Sequence, residues 1–316
     1  MFQLKNVPGD RTLWCRHEYK YLISEVQAAA LAEYIRPYMQ FDRYSELKEG
    51  NAYPICSLYF DNNSLKLCRE TMTGVKNRFK LRIRSYTDDP ETPRFFEIKR
   101  RVNRIVIKSR ARVMTDSVAA IVTGQMRPPQ NDGIEAQALD QFLLYKNTIN
   151  AKPVVRVRYL RQAFESFTND SIRITFDRKL SSNVTQDLNM SLGGSGWLTL
   201  PLSGVILEIK FTGRFPAWLG RMVKVLGIEA RSVSKYGICV QQLFNVGYCT
   251  PIINTRNDLW KQSVNFSKKT LPCEETSRLR ASSSPYYSPS SSDRSSPGFT
   301  TPPTAGSRTR ERSSSP

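Results

Sequence analysis

Charged side chains recur at every second position in six stretches of this chain, and the residues between them are mostly apolar or aromatic. The sets are Arg16, Glu18 and Lys20; Lys80, Arg82 and Arg84; Glu97 and Lys99; Arg104, Lys108, Arg110 and Arg112; Arg173, Thr175, Asp177 and Lys179; and Glu208 with Lys210. In a β-strand, residues two apart share a face, so each stretch offers one charged face and one apolar face. Arg supplies planar forks that match phosphate oxygens, and Lys supplies compact point charges. Together these types point to binding and polarising a chain of phosphates.

Other catalytic templates are missing. No GxxxxGK[ST] run occurs, so there is no P-loop, and no GxGxxG opens a helix after a strand. The single histidine, His17, falls on the apolar side of its strand, and a Ser-His-Asp triad has no other candidate base. The six cysteines, at 15, 56, 68, 239, 249 and 273, show no CxxC pair. That spacing argues against a Cys/His zinc site and for reduced core thiols in a reducing compartment, which makes the expected location cytoplasmic.

The charge balance agrees. The 316 residues carry a net charge of +19. Residues 266–316 contribute only +4 of it, so +15 belongs to residues 1–265. A charge of that size speaks to partners: nucleic acid, an anionic surface or a phosphate-rich ligand. No run approaches the ~20 apolar residues of a membrane-spanning helix, so any membrane association would be peripheral and any translocation would need a separate partner.

The elements that position these residues form an α+β body followed by a tail. Strands are expected over residues 14–23, 54–60, 78–86, 94–101, 104–113, 153–165, 171–180 and 204–211, with turns at 88–93 and 102–103. Helices are expected over 25–35, 64–72, 115–123, 135–147, 215–226 and 236–244. Ser24 and Gln27 form a capping box for the first, whose apolar stripe reads as Val26, Ala30, Tyr34 and Ile35. Pro216 and Gly227 bracket the helix at 215–226. Residues 181–200, with GGSG at 193–196, read as a loop. From Lys268 the chain turns Ser/Pro/Arg-rich, a composition that cannot bury a core. The domain reading is therefore a folded body at 1–265 and a disordered tail at 266–316, whose Ser-Pro steps suit phosphorylation.

Spacing alone leaves two arrangements open. The charged faces could meet water around an apolar centre, as in an ordinary antiparallel sheet. Alternatively, the helices cover the apolar faces and the charges line the inside of a closed barrel of about eight strands, wide enough for a slender ligand. An interior crowded with like charge is costly when empty, and a polyanion would relieve it.

The motifs EYKYLI, SLYFDN, KLRIRSY, FFEIK, YLRQAF, IRITFD, LEIK and SVSKYG, in that order, resemble the VTC (vacuolar transporter chaperone) polyphosphate polymerase domain over about residues 12–245. That family belongs to the triphosphate tunnel metalloenzymes (CYTH-like), and the resemblance implies a closed eight-stranded antiparallel barrel with flanking helices. The ExExK strand of the superfamily reads here as Arg16-x-Glu18-x-Lys20. The change of the first Glu to Arg is similar to the polymerase branch and weakens a simple triphosphatase reading.

The resemblance implies that Lys20, Arg82, Arg84, Lys99, Arg161, Arg173 and Lys235 act on the reacting phosphates. It implies that Arg69, Lys108, Tyr159 and Ser234 help to hold substrate, and that Glu208 binds Mn²⁺ or Mg²⁺. Its implied substrates are ATP and inorganic polyphosphate, with γ-phosphoryl transfer to the growing chain. Two alternatives stay open at this stage: a module that binds polyphosphate without making it, and a tunnel triphosphatase. Nucleic acid is not the expected partner, because the aromatics form no obvious stacking platform and duplex DNA is too wide for a small barrel. One tension concerns parity: Arg161 is odd-numbered while Arg156 and Arg158 are even, so Arg161 is placed inside and the other two outside unless a bulge intervenes.

Overall fold

A computed structural model describes residues 16–103, 105–126, 133–167, 172–200, 202, 204–245 and 247. The expected tail at 266–316, the side chains of Arg16 and Arg104, and Cys15, Cys249 and Cys273 lie outside the described residues.

The strands are β1 (Arg16–Ile23), β2 (Met39–Phe41), β3 (Tyr53–Asp61), β4 (Asn77–Ser85), β5 (Arg94–Val102), β6 (Ile105–Val113), β7 (Lys152–Ser166), β8 (Ile172–Val184), β9 (Leu198–Thr199) and β10 (Val205–Thr212). The helices are α1 (Glu25–Ile35), α2 (Arg43–Glu46), α3 (Lys66–Met72), α4 (Ser117–Thr123), α5 (Ile134–Thr148), α6 (Ala217–Val225) and α7 (Lys235–Asn245). All strand pairings are antiparallel. The sheet runs β1-β10-β8-β7-β3-β4-β5-β6, with β2 added beside β7 and β9 beside β8.

Alternation decides which face meets the helices. Leu81 and Ile83 of β4, Phe96 and Ile98 of β5 and Leu58 and Phe60 of β3 pack with Val118 and Ile121 of α4 and Phe142 of α5. Ile174 and Phe176 of β8 and Leu207 and Ile209 of β10 pack with Ala28 and Leu31 of α1 and Leu219 of α6. The charged residues between them therefore point the other way. The Lys99 ammonium of β5 lies 2.9 Å from the Glu18 carboxylate of β1. These strands stand seventh and first in the sheet order, so the sheet curls until its far ends face each other across the charged side.

The expected closed barrel is not completed by hydrogen bonds: among the described residues β1 and β6 share no ladder. The chain after α6 reaches the free edge of β1 instead, where the Arg231 amide donates to the Lys20 carbonyl at 2.7 Å. From there it turns into α7, which lies on the inner face, with Tyr236 stacked on Tyr59 of β3 at 4.7 Å.

Other departures have local causes. The capping box of Ser24 and Gln27 forms as expected, but α1 buries Ala28, Leu31 and Ile35. Val26 and Tyr34 are exposed, so the helix is rotated from the expected stripe. β8 continues to Val184 and β9 interrupts the expected loop. A bulge shifts the β7–β8 register between Arg158 and Leu160, opposite Lys179 at φ +52°. Lys179 thus leaves the charged face, and Leu180 takes an inward place among Tyr159, Cys239 and Val240.

Candidate functional site: a cationic inner face

Among the described residues, eleven cations share the inner face: Lys20, Lys80, Arg82, Arg84, Lys99, Lys108, Arg110, Arg161, Arg173, Lys210 and Lys235. Four carboxylates, Glu18, Glu97, Asp177 and Glu208, stand among them. Each carboxylate holds several cations in place. Glu97, 1 % exposed, accepts from Arg82 Nε at 2.7 Å and Arg110 Nε at 2.8 Å, with Lys108 Nζ at 2.9 Å and Arg84 Nη1 at 3.8 Å. Asp177 takes a two-pronged bond from Arg161, at 2.7 and 2.8 Å, and Lys235 Nζ at 2.6 Å. Glu208 lies 3.2 Å from Lys210 and 3.6 Å from Arg161. Glu18 bridges Lys20 and Lys99.

This arrangement aims rigid guanidinium groups inward while leaving cations in excess. Arg161 and Lys235 also cover the ring of Tyr159, at 5.4 and 4.9 Å. The Ser234 hydroxyl caps α7 by accepting from the Gly237 amide, and it takes the Lys80 ammonium at 3.1 Å. A Cβ at Gly237 would crowd the Met72 sulfur of α3, so a larger residue there would make the Met72 side chain move. Arg173 reaches over the rim to Asp42 at 2.6 Å.

Proton affinities record the crowding. Burial, then the neighbouring Lys20, pushes Lys99 down to about 8 despite Glu18. Burial also brings Lys108 down to about 8 against the pull of Glu97. Lys80 is held well below the usual lysine range by burial and by Lys20 and Lys99. The carboxylates move oppositely. Burial and Glu208 act against ionisation of Glu18, but Lys20, Lys99 and Lys210 hold it down to about 2. Burial opposes ionisation of Glu97 and Glu208 as well, yet their cations keep both well below the usual carboxylate range.

The sequence-derived candidates divide plainly. Lys20, Arg82, Arg84, Lys99, Lys108, Tyr159, Arg161, Arg173, Glu208, Ser234 and Lys235 are brought to the one face. Arg69 is not: it is exposed on α3 and its guanidinium turns back to the Ser64 carbonyl at 2.7 Å. Arg156 and Arg158 lie on the other face against Trp197, at 5.1 and 4.2 Å, which resolves the parity tension by direction alone. Arg112 pairs with Glu135 of α5.

Sequence reasoning missed the anchoring roles of Glu97, Asp177 and Glu18. It also missed Lys80, which among the described residues meets the Ser234 hydroxyl and no carboxylate, and the part of α7 inside the curl. The alternation that flagged the cations carried Glu97 and Asp177 too, and a buried carboxylate between cations was the available signal. Cavities of about 310 and 410 Å³ lie elsewhere and include none of the eleven cations.

The Mn²⁺ or Mg²⁺ expected at Glu208 meets a suitable donor set. Thr175 Oγ1, on the residue paired with Glu208 across the ladder, is buried and has no hydrogen-bond partner among the described residues. A carboxylate, a hydroxyl and phosphate oxygens supplied by a ligand suit a hard cation. Among the described residues no group of three His, Cys, Asp or Glu side chains could hold a metal without such a ligand. No described helix is long and apolar enough to cross a membrane.

No curated protein matches the chain. A protein of Bacillus halodurans provisionally called an adenylate cyclase is 14% identical, over 73% of this chain and 99% of its own, with a TM-score of 0.41. The PH1819 protein of Pyrococcus horikoshii OT3 is also 14% identical, over 72% of this chain and 99% of its own, with a TM-score of 0.37. The family model for the VTC domain matches residues 15–244, the whole span that carries the curled sheet and α7, and the chain belongs to the VTC domain family.

Proposed function

We propose that the inner face holds the triphosphate of ATP and the end of an inorganic polyphosphate chain in line, and transfers the γ-phosphoryl group to that end. The observation that carries this reading is the excess of inward cations, locked by four carboxylates into one array. A terminal oxygen of the chain attacks the γ-phosphorus, the bond to the β-phosphate oxygen breaks, and ADP leaves with the freed negative charge. Phosphoryl transfer of this kind needs positioning and charge neutralisation more than a protein nucleophile. Arg82, Arg84 and Arg161 would bind and orient the phosphates, Lys99 and Lys108 would gain protons as charge arrives, and Lys235 would steady the adjoining end. Glu208 and Thr175 would hold Mn²⁺ or Mg²⁺, which would supply positive charge to offset that of the phosphates.

The same carboxylates bear on transfer to water. A base of use near pH 7 needs a matching pKa, and these carboxyls are held far lower by their cations. They are poor groups for activating water, whereas a polyphosphate end arrives already ionised. Incubation of the protein with ATP and Mn²⁺ tests the reading. Long-chain polyphosphate with matching ADP supports it. Free phosphate without chain growth overturns it in favour of hydrolysis, and binding without turnover makes the domain a polyphosphate-holding module.

A further inference from the structure

The two ends of the inner face differ in chemistry. At one end stand Lys80, Lys20 and the capped start of α7. The aromatic pair near that end, Tyr59 and Tyr236, is buried, and Tyr236 is tied to Asp61 at 2.8 Å. It offers no ring to a ligand.

The other end carries rings that a ligand can reach, Tyr44 in the open and Tyr86 and Phe95 half-buried, backed by the buried Tyr53. Tyr53 of β3 pairs with Arg161, Phe95 of β5 pairs with Arg84, and Tyr86 follows Arg84 by two residues, so all three fall on the inward parity. Tyr86 meets Phe95 edge-on at 5.5 Å and Tyr53 at 6.2 Å. Tyr44 of α2 extends the set outward, 5.9 Å from Tyr53 and 66% exposed. Cations flank the rings: Arg110 donates to the Tyr86 hydroxyl at 3.1 Å and lies 4.5 Å from the centre of Phe95. Asp42 binds both the Tyr53 hydroxyl, at 3.3 Å, and Arg173, at 2.6 Å, and so joins α2 to the last cation of the array.

We infer that this rim of Tyr44 and Tyr86, backed by the buried Tyr53, is a stacking site for the base of the nucleoside triphosphate. The inference rests on the reading of the inner face as a triphosphate site. It sets a direction: the nucleoside sits at the aromatic rim, its phosphates run inward past Arg173 and Arg161, and the growing chain lies toward Lys80 and α7. Rings stack on any base because every base has a π-face, so the site should favour purines by stacking strength rather than by hydrogen-bonded readout.

Calorimetric binding of ATP and of inorganic tripolyphosphate, to the full chain and to Tyr44→Ala and Tyr44→Phe, tests this. Tyr44 is exposed, and among the described residues its side chain makes no hydrogen bond, so the substitution leaves the core untouched. Tyr44→Ala should weaken ATP on the order of tenfold, leave tripolyphosphate unchanged, and be rescued by Tyr44→Phe. Equal ATP affinity in wild type and Tyr44→Ala overturns the inference, as does an equal loss for both ligands. Failure of tripolyphosphate to bind the wild-type protein would instead overturn the reading of the inner face itself.

Discussion

Replacing Glu97 by Gln removes one negative charge that four cations share. Two of them, Lys108 and Arg110, keep side chains 44% and 35% exposed and can turn toward water. The other two, Arg82 and Arg84, are 19% and 7% exposed and cannot. Removing one partner of a buried pair costs about 3–5 kcal/mol, chiefly because charge is left buried and uncompensated. The amide oxygen of Gln can still accept from Arg82, which points to the lower end, about 3 kcal/mol. For a folded unit of this size that is a fall of roughly 6–12 °C in Tm. The loss should be conditional: an anion entering the face supplies the missing charge, so tripolyphosphate should raise the Tm of the variant more than that of the wild type. Thermal denaturation at low ionic strength, with and without tripolyphosphate, measures both effects. An empty variant as stable as the wild type, or one that tripolyphosphate stabilises less, would refute the reasoning.

Lys80→Met removes a cation whose neighbours are also cations. The empty protein should melt no lower than the wild type, while tripolyphosphate affinity falls about fivefold; a lower Tm with unchanged affinity would contradict this. Arg82→Ala or Arg173→Ala should abolish polyphosphate synthesis while the fold survives by circular dichroism, and wild-type turnover in either would count against the assignment. Glu208→Gln should lower the rate and weaken the Mn²⁺ dependence, and an unchanged Mn²⁺ titration would remove its metal role. Binding should also respond to pH. Lys99 and Lys108 lose protons above about 8 in the empty protein, and a bound polyanion raises both pKa values. Tripolyphosphate should therefore bind with proton uptake near pH 8–9 and weaken as pH rises through that window. Calorimetry in buffers of different ionisation enthalpy reads the uptake, and its absence sinks the point. The same depression has a stability sign: lysines whose pKa falls on folding repel most while charged, so the empty fold gains stability as pH climbs from about 8 toward the ordinary lysine value.

Much of this face was legible because strand alternation is a rigid rule. Once Leu81 and Ile83 must meet helices, Arg82 and Arg84 must turn inward. The rule fails wherever the backbone breaks its period. The bulge opposite Lys179 expelled that residue from a face assigned to it, and no glycine marks the place. The strands also could not announce the fate of the sheet edge. That depends on residues after α6, which run against β1 and carry Ser234 and Lys235 inward through contacts distant in sequence, such as Arg231 to Lys20. Arg69 was misplaced because a helix residue has no alternation to locate it. The short β2 and α2 escaped notice, being too brief to show a period, although Asp42 caps α2 and ties the rim to Arg173.

The most direct test of the account is a crystal structure of the protein soaked with tripolyphosphate. The account predicts phosphates threaded along the inner face, within hydrogen-bond reach of Arg82, Arg84, Arg161 and Lys99, with Lys80 at one end and Arg173 at the other. Phosphates found only on the helix-covered side, or an inner face that stays empty at saturating ligand, would contradict it.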